Sequence, residues 1–126
     1  MATREDATLV VQILQWAALE GVGGALGSIF AKDFDSENAT LEDPNVRKVL
    51  NFGETVGTFV KQGLLDRDLV YDLWAFNPSW KRLSKAALRV REETGEPRMY
   101  ENFEALVQSA PEVAVNGRAG AVESRI

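Results

Sequence analysis

Asp43-Pro44-Asn45-Val46-Arg47-Lys48-Val49-Leu50-Asn51-Phe52-Gly53-Glu54-Thr55-Val56-Gly57-Thr58-Phe59-Val60-Lys61-Gln62-Gly63 is the stretch that decides the fold. Asp43 offers a side-chain oxygen to the free amides of a first helical turn. Pro44 has no amide to lose and a φ already set for helix, and Gly63 tolerates the left-handed turn that ends one. At about 100° per residue, Val46, Val49, Leu50, Gly53, Val56, Gly57 and Val60 fall on one side, and Phe52 and Phe59 widen that stripe to roughly half the circumference. A stripe so broad predicts a central helix. Gly53 and Gly57 lie one turn apart on it. Glycine costs a helix about 1 kcal/mol relative to alanine, so the pair predicts a close crossing with another helix.

Working outward, the same punctuation recurs. Asn77-Pro78 opens a periodic segment that Gly95 closes, predicting a helix over residues 78–94 with Asn77 as its cap. Upstream, a helix is predicted over 7–20, capped by Asp6 or Thr8, and another over 22–32. Gly21, Gly23, Gly24 and Gly27 either separate these two or kink a single helix. Asp66 caps a short helix ending near Phe76, and a last helix spans 97–109. No segment alternates strongly enough for a sheet. The expectation is an all-α, single-domain bundle of five or six helices over residues 1–110, followed by a mobile tail at 111–126.

The chain has 126 residues, which suits one domain with a single core. Its net charge of −5 opposes general nucleic-acid binding, which needs a positive field to displace counterions from phosphates. It contains no Cys and no His. Disulfides, thiolate catalysis, sulfur-ligated metal, histidine bases and the commonest zinc ligand are therefore excluded. Nucleophile motifs, phosphate loops and metal-ligand spacings are also missing. The expected protein is not an enzyme, has no catalytic residues, and takes no metal or cofactor. No secretory pattern opens the chain, and a cytoplasmic location is expected. Residues 9–31 have the length of a bilayer span, but Gln12, Gln15, Glu20 and the four glycines interrupt them. Two packed helices, rather than a membrane span, are expected there.

The helix predicted over 7–20, helix 1, is apolar over more than half its circumference, with Val11, Leu14 and Ala18 pointing away from Leu9, Ile13 and Trp16. Either several helices surround it or part of it meets a second chain. The expected role is binding a protein partner or another copy of this chain.

The residues Asp43-Pro44-x-Val46-Arg47-Lys48-Val49-Leu50-Asn51-Phe52-Gly53-Glu54 resemble the start of the core of the bacterial family called domain of unknown function 4760. Val60-Lys61-Gln62-Gly63-Leu64-Leu65-Asp66 and Asp68-Leu69-Val70-Tyr71-Asp72-Leu73-Trp74 are similar to its next segment. Arg91 and Tyr100-Glu101-Asn102-Phe103-Glu104-x-Leu106 match in character, so the resemblance covers about residues 43–107. It implies a helical fold and supplies no catalytic residues. Many members of that family begin with a transmembrane helix, from which the polar residues of helix 1 depart.

Three patterns are candidate sites. Asp33, Asp35 and Glu37 fall at the first, third and fifth positions of a calcium loop, but Pro44 stands where the bidentate Glu belongs and Asn38 where Gly belongs. That predicts a solvated acidic loop. Lys81, Arg82, Lys85 and Arg89 share a face of the helix predicted over 78–94, which predicts a solvated surface or one facing the acidic loop. The anomaly is Arg91, which projects among Trp80, Leu83, Ala87 and Val90 on the apolar side. Glu20, Glu54 and Glu104 lie on or beside the apolar stripes of their own helices. Buried charges must find partners, so Arg91 is expected to pair with at least one of these carboxylates. The arrangement is either a salt-bridge cluster or a small anion-binding pocket centred on Arg91. A carboxylate-only enzyme using Glu20, Glu54 or Glu104 as base is the third alternative.

Overall fold

The structure is a computed structural model that describes residues 1–109. The tail expected to be mobile, 111–126, lies outside the described residues. Six helices are present: α1 (Arg4–Glu20), α2 (Val22–Ile29), α3 (Pro44–Lys61), α4 (Arg67–Leu73), α5 (Phe76–Thr94) and α6 (Glu101–Gln108). There is no strand among the described residues. The protein is all-α and forms a single compact domain.

Central α3 packs most extensively against α6 and α2. Its inward stripe is Val46, Val49, Leu50, Phe52, Gly53, Val56 and Gly57, all buried. Asp43 caps it by accepting from the Asn45 amide at 2.8 Å, with Pro44 in the first helical position. The two glycines serve the crossing with α6. A Cβ on Gly53 would lie 2.3 Å from the Phe103 ring, and one on Gly57 would lie 2.3 Å from the Asn102 carbonyl oxygen. No side chain fits at either place, so the two helices meet with backbone and ring in direct contact.

Around the crossing the core is aromatic. Phe52 stacks on Phe76 at 5.6 Å and meets Trp74 edge-on at 5.4 Å, while Phe103 packs on Phe76 and Trp80 at 5.8 and 5.0 Å. Trp16 of α1 reaches the same cluster, 6.0 Å from Phe52. Offset and edge-on ring pairs of this kind add about 0.5–1.5 kcal/mol each beyond the area they bury.

Several boundaries differ from the sequence expectation. Helix α5 begins at Phe76, two residues before Pro78, and Asn77 is not its cap; the N-cap residue is Ala75, with no side-chain capping bond. Phe76 is buried in the aromatic cluster and draws the first turn back to itself. Pro78 then sits third in the helix, where its missing amide is one of the four that have no partner in any case. Neither Asp6 nor Thr8 caps α1. Thr3 does, accepting from the Asp6 amide at 3.2 Å, while the Asp6 carboxylate accepts from the Thr3 amide at 2.7 Å. This is a reciprocal capping box. Helix α2 ends at Ile29 rather than 32, and α6 starts at Glu101 because residues 97–100 form a turn.

Helices α1 and α2 are separate, joined at Gly21 with a bend of 69°. Gly21 sits at φ +74°, closes α1 and opens α2. The Lys48 ammonium approaches this residue from α3 and places a cation at the carbonyl end of α1. No single described helix is long and apolar enough to cross a membrane, although α1 and α2 together have the length and composition.

Candidate functional site

The four singled-out residues do not form one cluster. Arg91 projects from the last turn of α5 and is 16% exposed. Its Nε donates to the Met99 carbonyl at 2.8 Å, and its Nη2 lies 2.9 Å from Glu104 Oε1. The Nη2 hydrogens are not aligned on that oxygen, so the contact is an ion pair without a directed hydrogen bond. Glu104, on α6, remains 30% exposed. Arg91 thus ties α5, the 97–100 turn and α6 together. Its outer edge borders a shallow open depression of about 810 Å³, lined by Lys85, Leu88, Arg89, Glu92 and Gly95 among others.

Glu54 does something else. Its Oε1 accepts from the Asn102 and Phe103 amides at 2.9 and 3.0 Å, and its Oε2 accepts from Asn102 Nδ2 at 2.9 Å. Thr58 completes the set, accepting from Asn102 Nδ2 at 3.1 Å. The residue at the N-cap position of α6 is Tyr100, which has no side-chain capping bond and sits at φ +60°. A carboxylate from α3 therefore caps α6 across the helix crossing, where two free amides and the helix dipole favour negative charge. Burial pushes the Tyr100 phenol above its usual pKa, and the nearby Glu54 carboxylate pushes it further. Non-glycine residues are rarely left-handed, and Tyr100 is held there by its own burial and by the bonds that Glu54 makes two and three residues later.

Glu20 joins neither group. It is exposed at the end of α1, in a depression with Trp16, Val22, Pro44, Arg47, Lys48 and Asn51. Its alignment with Leu9, Ile13 and Trp16 does not bury it, because α1 ends there and the chain bends away at Gly21. The expected cluster of one arginine and three glutamates is thus one ion pair, one trans cap and one surface carboxylate.

The basic face of α5 meets the acidic loop. Lys85 pairs with Glu37, and Arg89 donates to the carbonyls of Glu37 and Ala39. Arg82 lies over the Phe30 ring, 5.9 Å from its centre. Within the loop, the Asp35 carboxylate accepts from Asn38 Nδ2 at 2.8 Å and from the Glu37 amide at 3.1 Å, and the Asn38 side chain does most to hold its pKa below the usual value. Among the described residues, no three acidic side chains converge as a metal site would require.

Sequence reasoning missed Asp6 as an anchor. Its Oδ1 accepts from the Asp66 amide at 3.0 Å, joining the start of α1 to the start of α4. The carboxyl is held below its usual pKa, chiefly by the Thr3 amide. The signal was present as Thr3-x-x-Asp6, a capping-box spacing.

Glu20 and the Asp35 turn apart, these polar groups join one helix to another helix or to a loop of a single all-α domain. A family profile, domain of unknown function (DUF4760), matches residues 25–109, and the chain belongs to that family. The matched span begins within α2 and leaves all of α1 outside it. No curated protein and no solved structure matches the chain significantly.

Proposed function

We propose that this is a cytoplasmic, non-enzymatic interaction module, with the α3–α6 crossing as its scaffold and the outer face of α1 as its docking surface. One observation carries the reading. Between Asp6 and Glu20, α1 contains no charged residue, yet it exposes Val11 (53%), Leu14 (44%) and Leu19 (87%). Leu9, Ile13 and Trp16 face the domain; among the described residues no other helix covers the opposite side. An uncharged apolar face on a helix is the usual mark of a protein contact. The pairing of Arg91 with Glu104 and the Met99 carbonyl favours this reading over an anion site.

The test is a photo-crosslinking amino acid placed at position 14 in the full chain in cells, with position 88 on α5 as control. An adduct at position 14 and none at position 88 is expected. Adducts at both positions, or at neither, would overturn the reading.

A further inference from the structure

We propose that the depression between the end of α1 and the first two turns of α3 binds a free α-amino acid with an apolar side chain, its ammonium at Glu20, its carboxylate at Lys48 and its side chain against Trp16. The site is separate from the outer face of α1 and goes beyond the interaction reading. Trp16 and Glu20 line it from α1, Val22 from α2, and Arg47, Lys48 and Asn51 from α3. Its volume of about 370 Å³ lies at the small end of the roughly 300–1,000 Å³ of ligand pockets. Its walls are held in place. The Trp16 ring packs on Phe52 at 6.0 Å, Val22 is buried, and the 69° bend at Gly21 sets the two short sides of the depression against each other.

Charge selects the ligand. A Cβ on Gly21 would lie 3.4 Å from the Lys48 ammonium, so that cation stands beside the residue that follows Glu20. The two nevertheless form no ion pair, and neither pairs with any other described residue. Of the charged side chains in the depression, Arg47 is tied within the chain, donating to the Leu41 carbonyl. An anion alone would meet the Glu20 carboxylate there, and a cation alone would meet Lys48 and Arg47. A zwitterion answers both signs at once, and the Asn51 amide adds a donor for its carboxylate. An α-amino acid carries its ammonium and carboxylate on one carbon, which suits opposite charges held near each other but not joined. Its side chain then meets the apolar wall that the Trp16 indole and Val22 provide.

The test is titration of the full chain with L-leucine, L-methionine and L-phenylalanine, followed by NMR at the Trp16 indole N–H, which Trp16→Phe assigns. At least one of the three should shift that resonance saturably at millimolar concentration. The N-acetyl derivative and the amide of that amino acid each lack one charge, and both should bind at least about tenfold more weakly. Glu20→Gln should shrink the gap between the amino acid and its N-acetyl derivative to under about threefold, and Lys48→Met should do the same for the gap to the amide. This crossed pattern separates recognition of the two charges from a general loss of structure. No saturable shift with any of the three amino acids, equal binding of the free and derivatised forms, or variants that weaken every compound alike would each overturn the site.

Discussion

The α3–α6 crossing and the α1–α2 arm use the same residue to opposite ends. On α3, a Cβ at Gly53 or Gly57 would sit inside Phe103 or against the Asn102 carbonyl. On α2, a Cβ at Gly23, Gly24 or Gly27 would meet nothing within 4 Å among the described residues. The first pair is required by packing, whereas the second set faces open space. A glycine-rich helix is therefore evidence of close contact only when its neighbours are known. The crossing also carries a set of polar bonds, whereas between Asp6 and Glu20 the outer face of α1 has no charged residue and, among the described residues, no helix over it.

Substitutions can break this contrast in order of size. Gly57→Ala drives a methyl group into the backbone of α6 and is expected to cost about 3 kcal/mol by urea denaturation. Gly24→Ala should instead stabilise by roughly 0.5–1 kcal/mol, because only unfolded-chain entropy changes. Equal effects at the two positions would erase the distinction. Glu54→Ala leaves two amides of α6 without their acceptor and should cost about 2–3 kcal/mol, while Glu54→Gln, which keeps an acceptor, should cost about 1 kcal/mol. Arg91→Ala should cost about 2 kcal/mol, short of the roughly 3–5 of a fully buried pair, because Glu104 reaches water once the arginine is gone. Arg89→Ala gives up two carbonyl contacts to the acidic loop and should cost about 1 kcal/mol.

The smallest effect is on pH dependence. The folded Asp6 carboxyl titrates below its usual value, so the bonds it accepts stabilise the domain fully above about pH 4, and that contribution is lost as pH falls through the lowered pKa. Asp6→Asn should therefore flatten the acid limb of a melting-temperature profile. An unchanged limb would show that the α1–α4 anchor contributes nothing.

The central helix was legible because Asp43-Pro44, the broad stripe and the paired glycines all agree, and each is a local signal. The α6 partner of those glycines was not legible, since period and propensity carry no information about which helices meet. Arg91 stood out because a charge on an apolar stripe demands compensation. Its partner was one of three candidates, because Glu54 and Glu104 flank their stripes in the same way and only the crossing separates their roles. Asn77-Pro78 misled by two residues, since burial of Phe76 outweighed the capping preference. The α1 strip was visible as excess apolar surface, but which side faced inward depended on Trp16 finding Phe52.

The trans cap also bears on the order of folding. Helix α6 has eight residues, too few to persist alone in water, and its first turn is held by a carboxylate 48 positions earlier. It can therefore form only on an α3 that already exists. Until α6 arrives, the groove at Gly53 and Gly57 stands open and Phe52 lacks part of its cover. Without α6 neither the crossing nor the aromatic cluster is complete, because Phe103 packs on Phe76 and Trp80. Unfolding should accordingly be all-or-none, with α6 and the aromatic core lost together rather than by fraying from the C-terminal side.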